Sequence, residues 1–199
     1  MLVKIINPTI EKLMKHNRRT LAWTKQVLVL AALILPIFTH AASGDRAPTQ
    51  QLNEGAKVDI RLQIPTIKTT TYARPYVAVW IENDQRKSVK TVQLWVGKDE
   101  WLKDLRSWWR KVGRYDKALV DAVTSATRPA GDYRFVWDGT NDAGQKVAQG
   151  NYTFHIEVVR EHGGRNYLRQ KLELGNSANS YQIKPTEETG LIDIHYRPQ

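Results

Sequence analysis

Between Val123 and Pro129 the chain places three hydroxyls within four residues: Thr124, Ser125 and Thr127, with Ala126 as the spacer. Asp121 precedes them and Arg128 follows, so a carboxylate and a guanidinium flank the same stretch. A short degenerate pattern of this kind needs structural context before it counts as a site. The plainer account is a polar loop after a helix that ends at Val123. Other reactive side chains are sparse. His155, His162 and His195 are the histidines beyond the N-terminal leader. His155 and His162 lie seven residues apart, which on one strand puts them on opposite faces. With no cysteine and no His-x-His or His-Glu-x-x-His spacing, no metal site is expected. The lack of cysteine also excludes a thiol nucleophile, a thioether-linked haem and a Cys-ligated iron–sulfur cluster. Asp138, Asn141 and Asp142 offer hard oxygens for a cation, but turn formation is their simpler job. No Gly-x-Ser-x-Gly, P-loop or Gly-x-Gly-x-x-Gly is present. No acid–base or nucleophile set stands out, so an independent enzyme is not expected.

Two further groups are candidate contacts for a ligand or partner. Trp108 and Trp109 are adjacent and cannot share one helical face. One of them therefore belongs at the helix rim. The other tryptophans beyond the leader, Trp80, Trp95, Trp101 and Trp137, are favoured as core, given the area an indole buries. Arg160-Glu161-His162 runs into Gly163-Gly164, a charged strand end before a tight turn. Arg160 and His162 there offer either a solvated hairpin tip or an edge for docking or phosphate contact.

These residues must be held by short strands. Val58, Ile60, Leu62 and Ile64 alternate with polar residues, the pattern of a half-buried strand, and Pro65 ends it. Tyr76 to Glu82 and Val89 to Val96 predict a hairpin through Asn83-Asp84-Gln85. The period then changes. Trp101, Leu102, Leu105, Trp108 and Trp109 recur at helical spacing up to Gly113, and Tyr115 to Val123 predicts a second, shorter helix. Thr124 to Gly131 reads as a loop. Strands follow at 133–137, 151–160, 166–174 and 191–196, separated by Gly-rich turns. The expected fold is mainly β, an antiparallel Ig-like β-sandwich with one helical insertion at about 100–123. A single domain spans 55–199, after a flexible, small and polar lead-in at 42–54.

The N-terminus has the order of a secretory signal. Lys15, Arg18, Arg19 and Lys25 precede a continuous apolar run of 12 residues from Val27 to Phe38, and Thr39-His40-Ala41 supplies small residues for cleavage after Ala41. A membrane-spanning helix needs about 20 apolar residues, so a permanent anchor is the weaker reading. Met14 offers a second candidate start. The expected location is the periplasm, with residues 1–41 removed. The leader holds six basic residues and Glu11, half of the formal net charge of +10. What remains is ordinary for a soluble domain. No basic stripe or recognition motif accompanies it, so nucleic acid is not an expected partner.

Trp137-Asp138-Gly139, Asp142, Gly144, Val147, Gly150, Tyr152 and Glu157 together resemble the Ig-like domain of flagellar hook-capping proteins. That resemblance implies fold and says little of function. A broader one runs from Tyr76 to Leu174. Val79-Trp80-Ile81-Glu82, Trp101-Leu102-Lys103-Asp104-Leu105, Trp108-Trp109, Asp121-Ala122-Val123-Thr124 and Arg160-Glu161-His162-Gly163-Gly164 resemble an uncharacterised family of predicted periplasmic proteins. That family is found beside flavin transferases and PepSY-type membrane proteins.

Asp121-Ala122-Val123-Thr124-Ser125-Ala126-Thr127 also resembles the segment to which a periplasmic flavin transferase attaches FMN through a phosphodiester. The resemblance implies that Thr127 is the acceptor, its oxygen attacking the FAD pyrophosphate. Ser125 stands where the pattern usually has Gly. Small Ser125 and Ala126 leave room for the donor, Asp121 and Thr124 complete the pattern, and Arg128 is placed to pair with phosphate charge. It implies a flavin-linked redox accessory carrying covalent FMN. Its partners would be the transferase and a PepSY-type or other inner-membrane redox protein. The alternative is a non-catalytic Ig-like module that docks to a membrane or envelope partner through its strand edges.

Overall fold

The computed structural model describes residues 50–199. The expected leader, 1–41, and the first part of the lead-in lie outside the described residues. The fold is a mainly β sandwich of two sheets. One sheet has the order β5-β1-β9-β8, built from β5 (Gly131–Trp137), β1 (Lys57–Ile64), β9 (Ile192–Arg197) and β8 (Asn179–Ile183). The other has the order β4-β3-β2-β6-β7, built from β4 (Thr124–Ser125), β3 (Ser88–Trp95), β2 (Tyr76–Asn83), β6 (Gly150–Val159) and β7 (Arg165–Leu174). Every pairing is antiparallel except that of β4, which lies parallel to β3.

The alternation in β1 has the expected consequence. Val58, Ile60, Leu62 and Ile64 all enter the core between the sheets, where they meet Val77, Val79 and Ile81 of β2 and Phe154, Ile156 and Val158 of β6. β2 differs from β1 in being buried from Tyr76 through Glu82. A strand covered on both faces shows no polar alternation. Its other face, with Tyr76, Ala78 and Trp80, packs under a second apolar cluster that includes Leu102, Leu105, Trp108 and Val112. The helical insertion therefore forms a third layer, laid on the outside of the five-stranded sheet.

That insertion is more broken than its spacing predicts. It comprises a 3-10 turn (Asp99–Asp104), one short α turn, α1 (Arg106–Trp108), and a π-helical turn (Trp109–Gly113). A separate helix, α2 (Lys117–Val123), follows, capped by the Asp116 carboxylate accepting from Leu119 N at 2.9 Å. Both indoles fold over Gly113. A Cβ there would stand 2.6 Å from the Trp108 ring and 2.7 Å from that of Trp109. The widened turn thus accommodates two adjacent tryptophans that a regular helix would point apart.

The lead-in is not free at its C-terminal end. Leu52 is buried, its N–H donates to Val147 O at 2.9 Å, and Gln149 N donates to Gln50 O at 2.7 Å. Leu52 packs against Gly139, whose φ of +74° and lack of a side chain admit it. Among the described residues, no helix is long and apolar enough to cross a membrane.

Candidate functional site

The Asp121–Arg128 segment runs off α2 onto the edge of the five-stranded sheet. Its three hydroxyls have different fates. Thr124 Oγ1 donates to Val120 O at 2.6 Å, closing the C-terminus of α2. Ser125 Oγ donates to Leu94 O at 3.0 Å and accepts from Gln93 Nε2 at 3.1 Å. Val96 N donates to Ser125 O at 2.9 Å. Thr124 and Ser125 are thus β4, where a loop is expected from sequence. The change arises because β3 presents an unpaired edge that a parallel dipeptide can satisfy. Thr127 Oγ1 makes no hydrogen bond among the described residues, and its side chain is half-buried beside exposed Ala126. Asp121 is exposed on α2, and the Thr124 hydroxyl bond to Val120 O and the Val96 N–H bond to Ser125 O, not its carboxylate, orient the segment. The Arg128 guanidinium lies 5.0 Å over the Trp95 ring and 5.4 Å over the Tyr133 ring. It is engaged with the sandwich edge instead of standing free beside Thr127.

A concave site of about 520 Å³ opens elsewhere, on the outer face of the same sheet beside the π turn. Cross-strand register builds it. Trp80 of β2 pairs with His155 of β6, which pairs with Arg169 of β7, and Tyr167 lies diagonally across. The three rings are nearly parallel: Trp80 and His155 are 4.8 Å apart at 10°, and His155 and Tyr167 are 5.8 Å apart at 12°. His155 Nδ1 meets Tyr167 Oη at 2.8 Å. Trp80 Nε1 donates to Glu82 Oε1 at 3.0 Å, and Lys111 Nζ stands 3.4 Å from Glu82 Oε2. Burial pushes the His155 imidazole down to about 4, opposed by Glu82 and assisted by Arg169 and Lys111. His155 is therefore neutral near pH 7. Burial also raises the Tyr167 phenol above its ordinary value.

The wall of this cavity is fixed by Glu157, which is fully buried. Its carboxylate accepts from Ser107 N at 2.9 and 3.1 Å and from Trp108 N at 3.0 Å. Arg165 Nε donates to it at 2.7 Å, and Arg165 Nη2 donates to Ser107 Oγ at 2.7 Å. One carboxylate thus ties the start of α1 to β6 and β7.

The remaining candidate contacts separate. Trp108 is wholly buried, and its Nε1 donates to Thr91 Oγ1 at 3.2 Å, so it offers no surface to a partner. Trp109 is half-buried at the rim. Arg160 is not a docking edge. Its Nε and Nη2 donate to Glu188 at 2.9 and 3.1 Å, with both side chains buried. The turn glycines permit this: a Cβ at Gly163 would stand 2.4 Å from Arg160 Cζ. His162 lies beyond β6, in the turn, at φ 55° with an exposed side chain, so it shares neither strand nor site with His155.

The family model described as "Predicted periplasmic protein (DUF2271)" matches residues 57–191. The chain belongs to this family. No curated protein and no solved structure matches it. The DUF2271 match opens at the first residue of β1 and closes just before β9. It therefore includes the Thr127 segment, the helical insertion and the whole of the aromatic cavity.

Sequence reasoning passed over that cavity. Its signal was present in the outward positions of strands otherwise apolar. Glu82 in β2, and Thr153, His155 and Glu157 in β6, are polar residues inside buried runs. Buried polar groups of this kind are held by partners or serve a site.

Proposed function

We propose that this chain is an exported accessory protein of a flavin-linked redox system, cleaved near Ala41, and that it carries FMN covalently on Thr127. One observation supports the acceptor assignment. Of the three hydroxyls in the motif, Thr124 and Ser125 are committed to the fold, whereas Thr127 Oγ1 has no hydrogen-bond partner among the described residues. In the attachment step the Thr127 oxygen bonds to the flavin-side phosphorus of FAD. The pyrophosphate P–O bond breaks, AMP leaves, and the hydroxyl proton passes to a base of the transferase. Bound FMN would supply electron transfer that the chain's own side chains lack. Ser125 and Arg128 hold the segment on either side of Thr127, so presentation to a transferase requires local release of β4, a two-residue strand on an open edge. The electron partner fits a PepSY-type or other inner-membrane redox protein.

The test is co-expression with an active periplasmic flavin transferase, followed by peptide mass spectrometry. The expected result is FMN on the peptide holding Thr127, absent from Thr127→Val. A colourless wild-type protein, with a known acceptor modified in the same cells, overturns the reading and leaves the docking module.

A further inference from the structure

The aromatic cavity holds an unmet hydrogen-bonding atom. His155 is 4 % exposed and lines the cavity, yet its Nε2 has no hydrogen-bond partner. Glu82 Oε2 stands 3.7 Å from it, beyond hydrogen-bond length. The Glu82 carboxylate facing Nε2 favours the tautomer with the proton on Nε2, in which Tyr167 Oη donates to Nδ1. That N–H is a buried donor without an acceptor, which costs free energy unless a ligand or water meets it.

The charge around it is mostly positive. Arg86, Arg110 and Arg169 line the same cavity, and none has a carboxylate partner among the described residues. Lys111 also lines it and is paired with Glu82, whose other oxygen is taken by Trp80. The one acidic side chain of the wall is thus already engaged, and three guanidinium groups remain. Arg86 is set there by the β2–β3 turn, where it adopts φ 62° and its N–H donates to Asn83 O at 2.9 Å. A non-glycine residue in the left-handed region is uncommon and points to a constrained position.

These groups reject a cation and are too polar for an apolar guest. A monocarboxylate has two oxygens, fewer than three guanidinium forks and a ring N–H can engage. A phosphate group brings more oxygens and up to two charges. We propose that the cavity binds the phosphate group of a small molecule, gripped by Arg86, Arg110 and Arg169, with His155 Nε2 donating at its floor. A volume of about 520 Å³ admits inorganic phosphate with water or a compact phosphomonoester. This site is separate from Thr127, which does not line the cavity.

The test is calorimetric titration of the exported protein with inorganic phosphate, and in parallel with AMP, at constant ionic strength in chloride. The expected result is saturable binding, weakened about tenfold or more in Arg110→Ala/Arg169→Ala. The side-chain nitrogen resonance of His155 Nε2 should shift on saturation. Tighter binding of AMP, with adenosine inert, identifies an organic phosphomonoester as the ligand. Equal or weaker binding of AMP identifies the free ion. Absence of saturable binding to both probes by the wild type overturns the proposal. So does undiminished binding by the double variant, or by Arg86→Ala at the exposed hairpin tip should the double variant fail to fold.

Discussion

Glu157 is the carboxylate that joins the helical layer to the sheet, and its removal should be felt across the domain. Glu157→Ala strips the acceptor from two backbone N–H groups and from Arg165, all at 2.7 to 3.1 Å. Breaking a buried, hydrogen-bonded charge pair from one side costs about 3–5 kcal/mol. Glu157→Gln keeps the shape and one acceptor oxygen but turns its amide toward Arg165, for about 2 kcal/mol. In a domain of this size each kcal/mol moves Tm by about 2–4 °C, so the alanine variant should melt roughly 10 °C lower. Urea and thermal unfolding of the exported protein, followed by circular dichroism, measure both. Arg165→Ala and the double variant complete a cycle, and the double variant should cost less than the sum of the singles. A loss below about 1 kcal/mol for Glu157→Ala, or strict additivity with Arg165→Ala, would refute the role given to this carboxylate.

Three other perturbations have definite outcomes. His155 has a folded pKa of about 4 against an ordinary 6.5, so the unfolded chain binds its proton first as pH falls. Its contribution is complete above about pH 6.5 and is lost down to about pH 4, by up to about 3 kcal/mol. His155→Gln should flatten the urea midpoint over that window, and coincident slopes would contradict the assignment. Glu188→Ala leaves Arg160 buried and unpaired, so it should cost about 3–5 kcal/mol in urea unfolding. A neutral effect would show that the pair is dispensable. Ser125→Gly removes the bonds to Leu94 and Gln93 and should raise the fraction flavinylated by a limiting amount of transferase. An unchanged or lower fraction would remove Ser125 as the restraint.

The sandwich was readable where one face of a strand is buried and the other is wet. Val58 to Ile64 show that alternation, and β1 forms over those residues. β8 escaped because Asn179 to Ile183 is short and none of its residues is buried, and β4 because two residues carry no period. The π turn escaped because tryptophan and leucine spacing fits α and π turns almost equally, and only the packing of two indoles over Gly113 separates them. Arg160 looked like a surface charge because Glu188, its partner, lies 28 residues away in an irregular segment. The cavity depends on register across three strands, and local pattern does not contain register between segments as distant as Trp80 and His155. Thr127 was legible as a motif. That its neighbours' hydroxyls are bonded into an edge strand was not, since this depends on β3 lying beside it.

The most direct measurement is the intact mass of the chain recovered from the periplasm of a host expressing a flavin transferase, with in-gel flavin fluorescence after denaturation. The expected species is the chain cleaved after Ala41, heavier by one FMN less one water, and fluorescent in wild type but not in Thr127→Val. A single unmodified, non-fluorescent species, with a control acceptor flavinylated in the same cells, would contradict the assignment of Thr127.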